Sequence, residues 1–501
     1  MRLARNMAAA MTNSVVAVLI NLIALPFYLR FLGMEAYGLI GFYATLQTMF
    51  QVLDLGLAPT VSREIAHGAE TGQQRRSASL LRTLGVVYAC VAVMIAVIVA
   101  VAAPWISTHW LHARSLPAAT VAQAVALMGV NLACRWPISL YHGGLIGAHR
   151  LARSALTSMT INTCAAIASI FLLSWFIRSI LTFFVVQATF GLLHVIVLRT
   201  LARRAVGAPD APYDFGDLKR VWNFSAWMGG VATTGLLISQ FDKIVLSRMV
   251  PLASFAHYML AVLLVSGLQI LTAPAFNTLY PKFSALVARG DMVTLEYLYD
   301  SATKLFATAL SAMAFGIVFQ TRPLVTLWLG NAGVAADIAP VAAWLTVGSA
   351  LNGIMCFPYS LQLASGQPKL AFFIASGLLI VIIPTVLLLV ERFGILGGAL
   401  SWAAANALYV VAGTWLTGRK VLAFAGLSWL LRNVSTPVLA TFVPALLGAW
   451  ICRMLAVGPW MALVIGGVAA LGGGVLGVAG SFSLCELKCV VAMAFGRATP
   501  V

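Results

Sequence analysis

One arginine in an apolar run is the first residue able to do chemistry. Arg135 lies in "VNLACRWPISLYHGG" (130–144), about halfway along a segment that otherwise reads as a membrane helix. A guanidinium stays protonated and presents a planar fork that binds phosphate oxygens in pairs. At mid-bilayer a lone arginine costs about 2.5–3.5 kcal/mol on insertion scales, so it must face a wet cavity or a partner. Pro137 frees backbone carbonyls beside it, so a purely structural role is the competing reading. A second charged stretch, "LISQFDKIVLSRM" (237–249), holds Asp242, Lys243 and Arg248. Gln240, Lys243 and Ser247 fall on one helical face there, as a cavity stripe would. Asp242 points about 100° away from Lys243. It is therefore expected to pair with another helix or to fix that end of the bundle.

The remaining candidates are weaker. Arg30 stands at the end of the first apolar segment, where an arginine either snorkels to the interface or adds to a positive rim with Lys243 and Arg248. Gln51 and Gln269 carry amides that can bind sugar hydroxyls or join two helices. Asp54 is read as ending the second helix at the inner interface, capping it or pairing with Arg63. The seven histidines show no ligand spacing, so neither a metal nor a cofactor is expected. The seven cysteines read as small apolar residues, with Cys485 and Cys489 lacking acidic or histidine partners nearby.

These residues need a frame, and composition supplies it. The chain of 501 residues is 61% hydrophobic and only 9% charged, with mean hydropathy +0.96. Soluble domains are about 25% charged. Apolar runs near 20 residues recur throughout, as in "VVYACVAVMIAVIVAVAAPWI" and "AFFIASGLLIVIIPTVLLLV". The net charge of +17 would suggest nucleic acid in a soluble protein, but the basic residues are strung along short loops. They follow the positive-inside rule instead.

Fourteen apolar segments are predicted, at about 8–29, 37–58, 80–106, 121–146, 154–176, 179–198, 222–247, 253–279, 298–320, 338–363, 370–390, 394–417, 434–455 and 459–481. The first reads as a retained helix rather than a cleaved signal. The basic residues crowd into alternate loops (Arg75, Arg76, Arg150, Arg153, Arg203, Arg204, Arg419 and Lys420 among them), which places both termini in the cytoplasm. Sliding the chain on itself by 218 residues sets Arg30 on Arg248, Gln51 on Gln269, Leu53 on Leu271 and Gly72 on Gly290. The fold class is therefore an all-α polytopic membrane protein of about 14 transmembrane helices. Two parallel six-helix bundles, related by a pseudo-two-fold, are followed by two C-terminal helices. The divisions fall at 1–205, a cytoplasmic linker at 206–221, 222–420, and 421–501.

Four motifs in order now resemble one family. "LPFYLRFLGMEAYGLIGFYATL" (25–46) pairs an Arg, a Leu-Gly, an acidic residue and a Tyr-Gly. "LDLGLAPTVSREIA" (53–66), "FDKIVLSRMVPLASFAHYMLA" (241–261) and "ERFGILGGALSWAAANALYVVAGTWLTGRK" (391–420) follow. Together they are similar to the Wzx-type polysaccharide flippases of the multidrug/oligosaccharidyl-lipid/polysaccharide exporter superfamily. Ala256 and His257 before Tyr258, and Val250-Pro251, depart from the pattern. The resemblance implies transport of an isoprenoid diphosphate-linked oligosaccharide to the outer leaflet of a bacterial inner membrane. It implies alternating access of two bundles, with membrane lipids, and polymerase or export machinery, as further partners. An ion-coupled antiporter of the same fold is the first alternative, disfavoured because the clearest acids, Asp54, Asp242 and Glu391, lie near predicted helix ends. A polytopic glycosyltransferase or polymerase is the second. The predicted outer loops are short and hold no paired carboxylates, so no enzyme is expected.

Overall fold

The computed structural model describes residue 16 and residues 19–54, 57–208, 210–214 and 216–482. The start of the first predicted helix, Arg2, Arg5, Leu55, Gly56, Cys485, Lys488, Cys489 and Arg497 lie outside the described residues. Among the described residues every regular element is helical, and a lone bridge between His112 and Pro251 is the only strand-like pairing. This follows from the solvent: in hydrocarbon each backbone amide must find its partner within the segment.

The chain groups into two compact units, Met1–Ala256 and His257–Val501. The first holds α1 (Leu19–Leu32), α2 (Met34–Phe50), α3 (Leu57–Glu70), α4 (Gln74–Trp105), α5 (Ala118–Arg135), α6 (Ile138–Gly147), α7 (Leu151–Trp175), α8 (Ile180–Val206) and α9 (Gly216–Met249). The boundary falls within α10 (Leu252–Val265). The second unit continues with α11 (Gln269–Arg289), α12 (Met292–Leu329), α13 (Ala332–Ile354), α14 (Cys356–Ala364), α15 (Pro368–Phe393), α16 (Ile395–Lys420), α17 (Leu427–Asn433), α18 (Ser435–Met454) and α19 (Pro459–Ser481).

Eleven stretches among the described residues are long and apolar enough to cross a membrane. The other three expected segments fall on the short α1, on α2 with its continuation α3, and on α9, so a count of fourteen is compatible. Helix α9 begins at Gly216, inside the segment read as a linker. The residues before it are stitched to α4. Ser79 donates to the Pro212 carbonyl at 2.6 Å, Arg82 to that of Ala211 at 2.5 Å, and the Asp214 amide to Thr83 at 3.0 Å. Packing therefore attaches α9 to α2, α3 and α4, within the first compact unit.

Both units repeat one packing order. In the first, α4 lies on α5, α5 on α8, α7 on α8, and α3 on α6. In the second, α12 lies on α13, α13 on α16, α15 on α16, and α11 on α14. The α3–α6 approach needs small residues. A Cβ on Gly143 would meet the Ala58 carbonyl oxygen at 2.5 Å, and one on Gly147, a turn later, would strike that of Ser62. Around them Val61, Ile65, Leu84, Tyr88, Leu140 and Leu145 form a buried core.

The glycine-rich stretch near the C-terminus is a continuous helix, α19, packed on α12 and α18. A Cβ at Gly477 would lie 2.7 Å from Thr308 of α12, and one at Gly473 would lie 3.0 Å from Thr441 of α18. Those glycines are surfaces for close packing.

Both units also break two helices at matching places. A 3-10 turn, Gln51–Asp54, follows α2, and another, Ser266–Leu268, follows α10. The chain breaks between α5 and α6 at Trp136-Pro137, and between α13 and α14 at Met355. Asn131, Pro137, Ser139 and Leu140 flank the first of these breaks. Asn352, Pro358, Ser360 and Leu361 flank the second at identical spacing.

Candidate functional site

The two breaks of the first unit meet at Asp54. Its Oδ1 accepts a hydrogen bond from the Tyr88 hydroxyl and another from Ser139 at 3.1 Å; its Oδ2 accepts one from the Ala58 amide at 3.4 Å. The last of these caps the start of α3. Tyr88 is almost fully buried and stacks on Trp136, ring centroids 5.7 Å apart. It lies fourteen residues into α4, so Asp54 sits about 21 Å along that helix from Gln74. Asp54 is therefore not at the inner end of the second helix, as read from the sequence. The predicted segment, 37–58, contains a 3-10 break at Gln51–Asp54, and α3 then occupies Leu57–Glu70. Arg63 lies farther along α3 on an exposed face.

Arg135 is the last residue of α5. Pro137 lacks an amide, so α5 stops; the Trp136 amide still reaches the Leu132 carbonyl at 2.8 Å. The Arg135 Nη2 donates to Gln187 Oε1 of α8 at 2.8 Å. The Arg135 side chain runs past Gly191 of α8, where an added Cβ would make ordinary van der Waals contact with its Cγ at 3.4 Å. One turn earlier Asn131 donates to the Phe184 carbonyl at 2.9 Å and locks α5 to α8. Tyr43 of α2 and His194 of α8 lie near the Arg135 guanidinium. Three buried polar atoms here have no hydrogen-bond partner among the described residues: Arg135 Nε, Trp136 Nε1 and the Tyr43 hydroxyl. All three can donate.

The second unit carries the same breaks without the charges. Thr272 occupies the place of Asp54 when Leu271 is set on Leu53, and Cys356 that of Arg135 when Pro358 is set on Pro137. Cys356 Sγ lies 4.0 Å from the Thr272 carbonyl oxygen. The second unit therefore forms its breaks with neither a carboxylate nor a guanidinium at these places. Gln51 and Gln269 are both exposed at these breaks, Gln51 opening one 3-10 turn and Gln269 following the other.

In α9 the structure corrects two expectations. Lys243 does pair with Asp242: Nζ lies 3.1 Å from Oδ1, and it also donates to the Ser239 carbonyl at 2.6 Å. The side chains are 12% and 4% exposed. Direction along a helix misleads here because lysine has four flexible methylenes and can curl toward a carboxylate that has lost its water. Nor does Ser247 face a cavity; it is buried and accepts from Trp110 Nε1 at 3.0 Å. Gln240 makes a long contact with Ser239 at 3.5 Å. Arg248 is exposed, its guanidinium 5.3 Å from the Trp110 ring. Arg30 is exposed at the end of α1.

One functional-looking residue escaped the sequence reading. Glu35, at the start of α2, accepts from the amides of Arg114, Ser115 and Leu116 at 2.9, 2.9 and 3.1 Å, and from the Ser115 hydroxyl at 2.7 Å. Burial pushes its carboxyl pKa up, but the four hydrogen bonds prevail and hold it below the usual range. Its signal was the acidic residue between Leu-Gly and Tyr-Gly.

Known proteins agree with this architecture. Residues 3–287 match the family model described as polysaccharide biosynthesis protein. The chain belongs to that family. A putative O-antigen transporter of Shigella flexneri is 21% identical over 405 residues, 80% of this chain and 94% of that protein. Among solved structures, the inward closed lipid II flippase MurJ superposes with a TM-score of 0.69 at 12% identity, covering 93% of this chain and 97% of that one. An inward-facing multidrug resistance MATE transporter of the MOP superfamily gives 0.68 at 15%, covering 81% and 95%. The fold is that of these transporters. The Wzx-type resemblance read from four motifs and the matched family agree.

Proposed function

We propose that this protein flips isoprenoid diphosphate-linked oligosaccharide units across the inner membrane, from the cytoplasmic to the outer leaflet. The family supports polysaccharide biosynthesis, and the similarity to an O-antigen transporter and to a lipid II flippase supports a lipid-linked glycan as cargo. The observation that carries the reading is the asymmetry of the helix breaks. Asp54 and Arg135 occupy the first unit where Thr272 and Cys356 occupy the second, so the first unit alone carries charge at these breaks. Arg135 presents a partly unpaired guanidinium beside two further donors, which suits the oxygens of a diphosphate or a sugar. Both termini would be cytoplasmic, and a polymerase or export assembly would take the product at the outer face. The same fold admits an ion-coupled step. Asp54 lies well along α4, which removes the argument from shallow acids against such coupling.

Deletion of the gene is the test. Lipid-linked glycan should accumulate on the cytoplasmic face, and a plasmid copy should clear it. Altered drug sensitivity with no accumulating glycan would instead indicate an antiporter.

A further inference from the structure

The second unit carries an apolar groove of about 930 Å³, floored by Leu305, Thr308 and Ala312 of α12 and by Gly474, Val475 and Val478 of α19. A polar pocket of about 350 Å³ continues it and shares Phe482. Its side chains climb the same face of α12 at helical spacing: Glu296, Asp300, Lys304, and then the groove from Leu305. Ser481 also lines the pocket, and its hydroxyl has no hydrogen-bond partner among the described residues.

Length explains why polar residues are tolerated there. Helix α12 has 38 residues, about 57 Å, whereas the hydrocarbon core is about 30 Å thick. With the apolar segment 298–320 in hydrocarbon, the first turns of α12 reach the headgroup layer and the groove from Leu305 lies at the acyl layer.

The order of charge along this face is specific. The carboxylates come first: Asp300 is ion-paired to Arg432, and Glu296 lies 3.8 Å from the same guanidinium. Lys304 comes next, its ammonium 5.9 Å from the Phe482 ring. Apolar wall follows. Lys304 is the one cation lining the pocket, and Arg432, outside that lining, balances the second acid, so the cluster as a whole is neutral. An ammonium–phosphate–diacyl sequence has the complementary order. A diphosphate would bring at least two negative charges to a single lysine, with Glu296 in the way.

We propose that this groove is a resident site for a zwitterionic aminophospholipid of the surrounding bilayer, such as phosphatidylethanolamine. The ammonium lies by Glu296 and Asp300, the phosphate by Lys304, and an acyl chain between α12 and α19. This site stands apart from the charged breaks of the first unit and does not depend on the transport reading.

The test uses the full chain in nanodiscs of equimolar phosphatidylethanolamine and phosphatidylglycerol. Lipids retained after detergent washing are counted by native mass spectrometry. Phosphatidylethanolamine should be retained about tenfold over phosphatidylglycerol. Glu296→Lys, at a half-exposed position, should abolish or invert that preference. Ala312→Trp, which fills the groove, should reduce retention of either lipid. Equal retention by the wild type, an unchanged preference in Glu296→Lys, or displacement of the phospholipid by added polyprenyl diphosphate would each overturn the proposal.

Discussion

Ser139 donates to Asp54 at 3.1 Å across 85 residues of sequence. One side chain stands just after the break in the fourth apolar segment, the other in the break of the second. The bond therefore joins two interruptions, and with Tyr88 and Trp136 it forms a polar knot inside an apolar bundle.

Removing the carboxylate tests that knot. Asp54→Ala leaves the buried Tyr88 hydroxyl without its acceptor and Ser139 with only the Trp136 carbonyl at 3.3 Å, and an orphaned buried group costs about 1–3 kcal/mol. Asp54→Asn keeps an acceptor oxygen and should lose less. Thermal unfolding in detergent reads both. Equal stability of the Ala variant and wild type would show that the contacts carry no net energy.

Arg135 is tested by export. Arg135→Ala should insert normally and reduce polysaccharide export about tenfold or more, the equivalent of one lost charge-assisted hydrogen bond. Arg135→Lys keeps charge without the fork, so it should recover export only in part. Wild-type export by the Ala variant, at normal protein level, would remove the role assigned to this residue.

The Asp242–Lys243 pair predicts a compensating double variant. Lys243→Met leaves a buried carboxylate without its ammonium, at a cost of about 3–5 kcal/mol. The double change Asp242→Asn with Lys243→Met should regain most of that stability. The readout is the folded fraction after heating, by size-exclusion fluorescence. A double variant as unstable as the single one would mean that the pair is not a unit.

Glu35 makes stability depend on pH in a stated direction. Its carboxyl is held below the ordinary 4.5 in the folded protein, so the unfolded chain binds the proton more readily. The contribution is complete above about 4.5 and fades as pH falls through the folded value. The stability difference between wild type and Glu35→Gln should be largest at neutral pH and shrink below pH 4. A difference that grows on acidification would contradict the assignment.

Much of this protein was legible from local sequence. In hydrocarbon the backbone must satisfy itself, so long apolar runs dictate helices, and the order of those helices can be counted by eye. The family resemblance was equally local, resting on four short motifs. One signal was visible and missed. The spacing from Asn131 through Pro137 to Ser139 recurs from Asn352 through Pro358 to Ser360, and it marks both broken helices.

The remainder belonged to tertiary structure, because satisfaction of a buried polar group is not a local property. Hydropathy ended the second helix at Asp54, but only Tyr88 and Ser139, 34 and 85 residues away, show that the residue sits against the middle of α4. Glu35 is answered by amides about 80 residues on. Helical direction alone separated Lys243 from Asp242, and a desolvated carboxylate drew them together. The sequence by itself determined that the chain crosses a membrane repeatedly in two similar halves. Which charges meet, and at what depth, was decided by the packing that removes water from them.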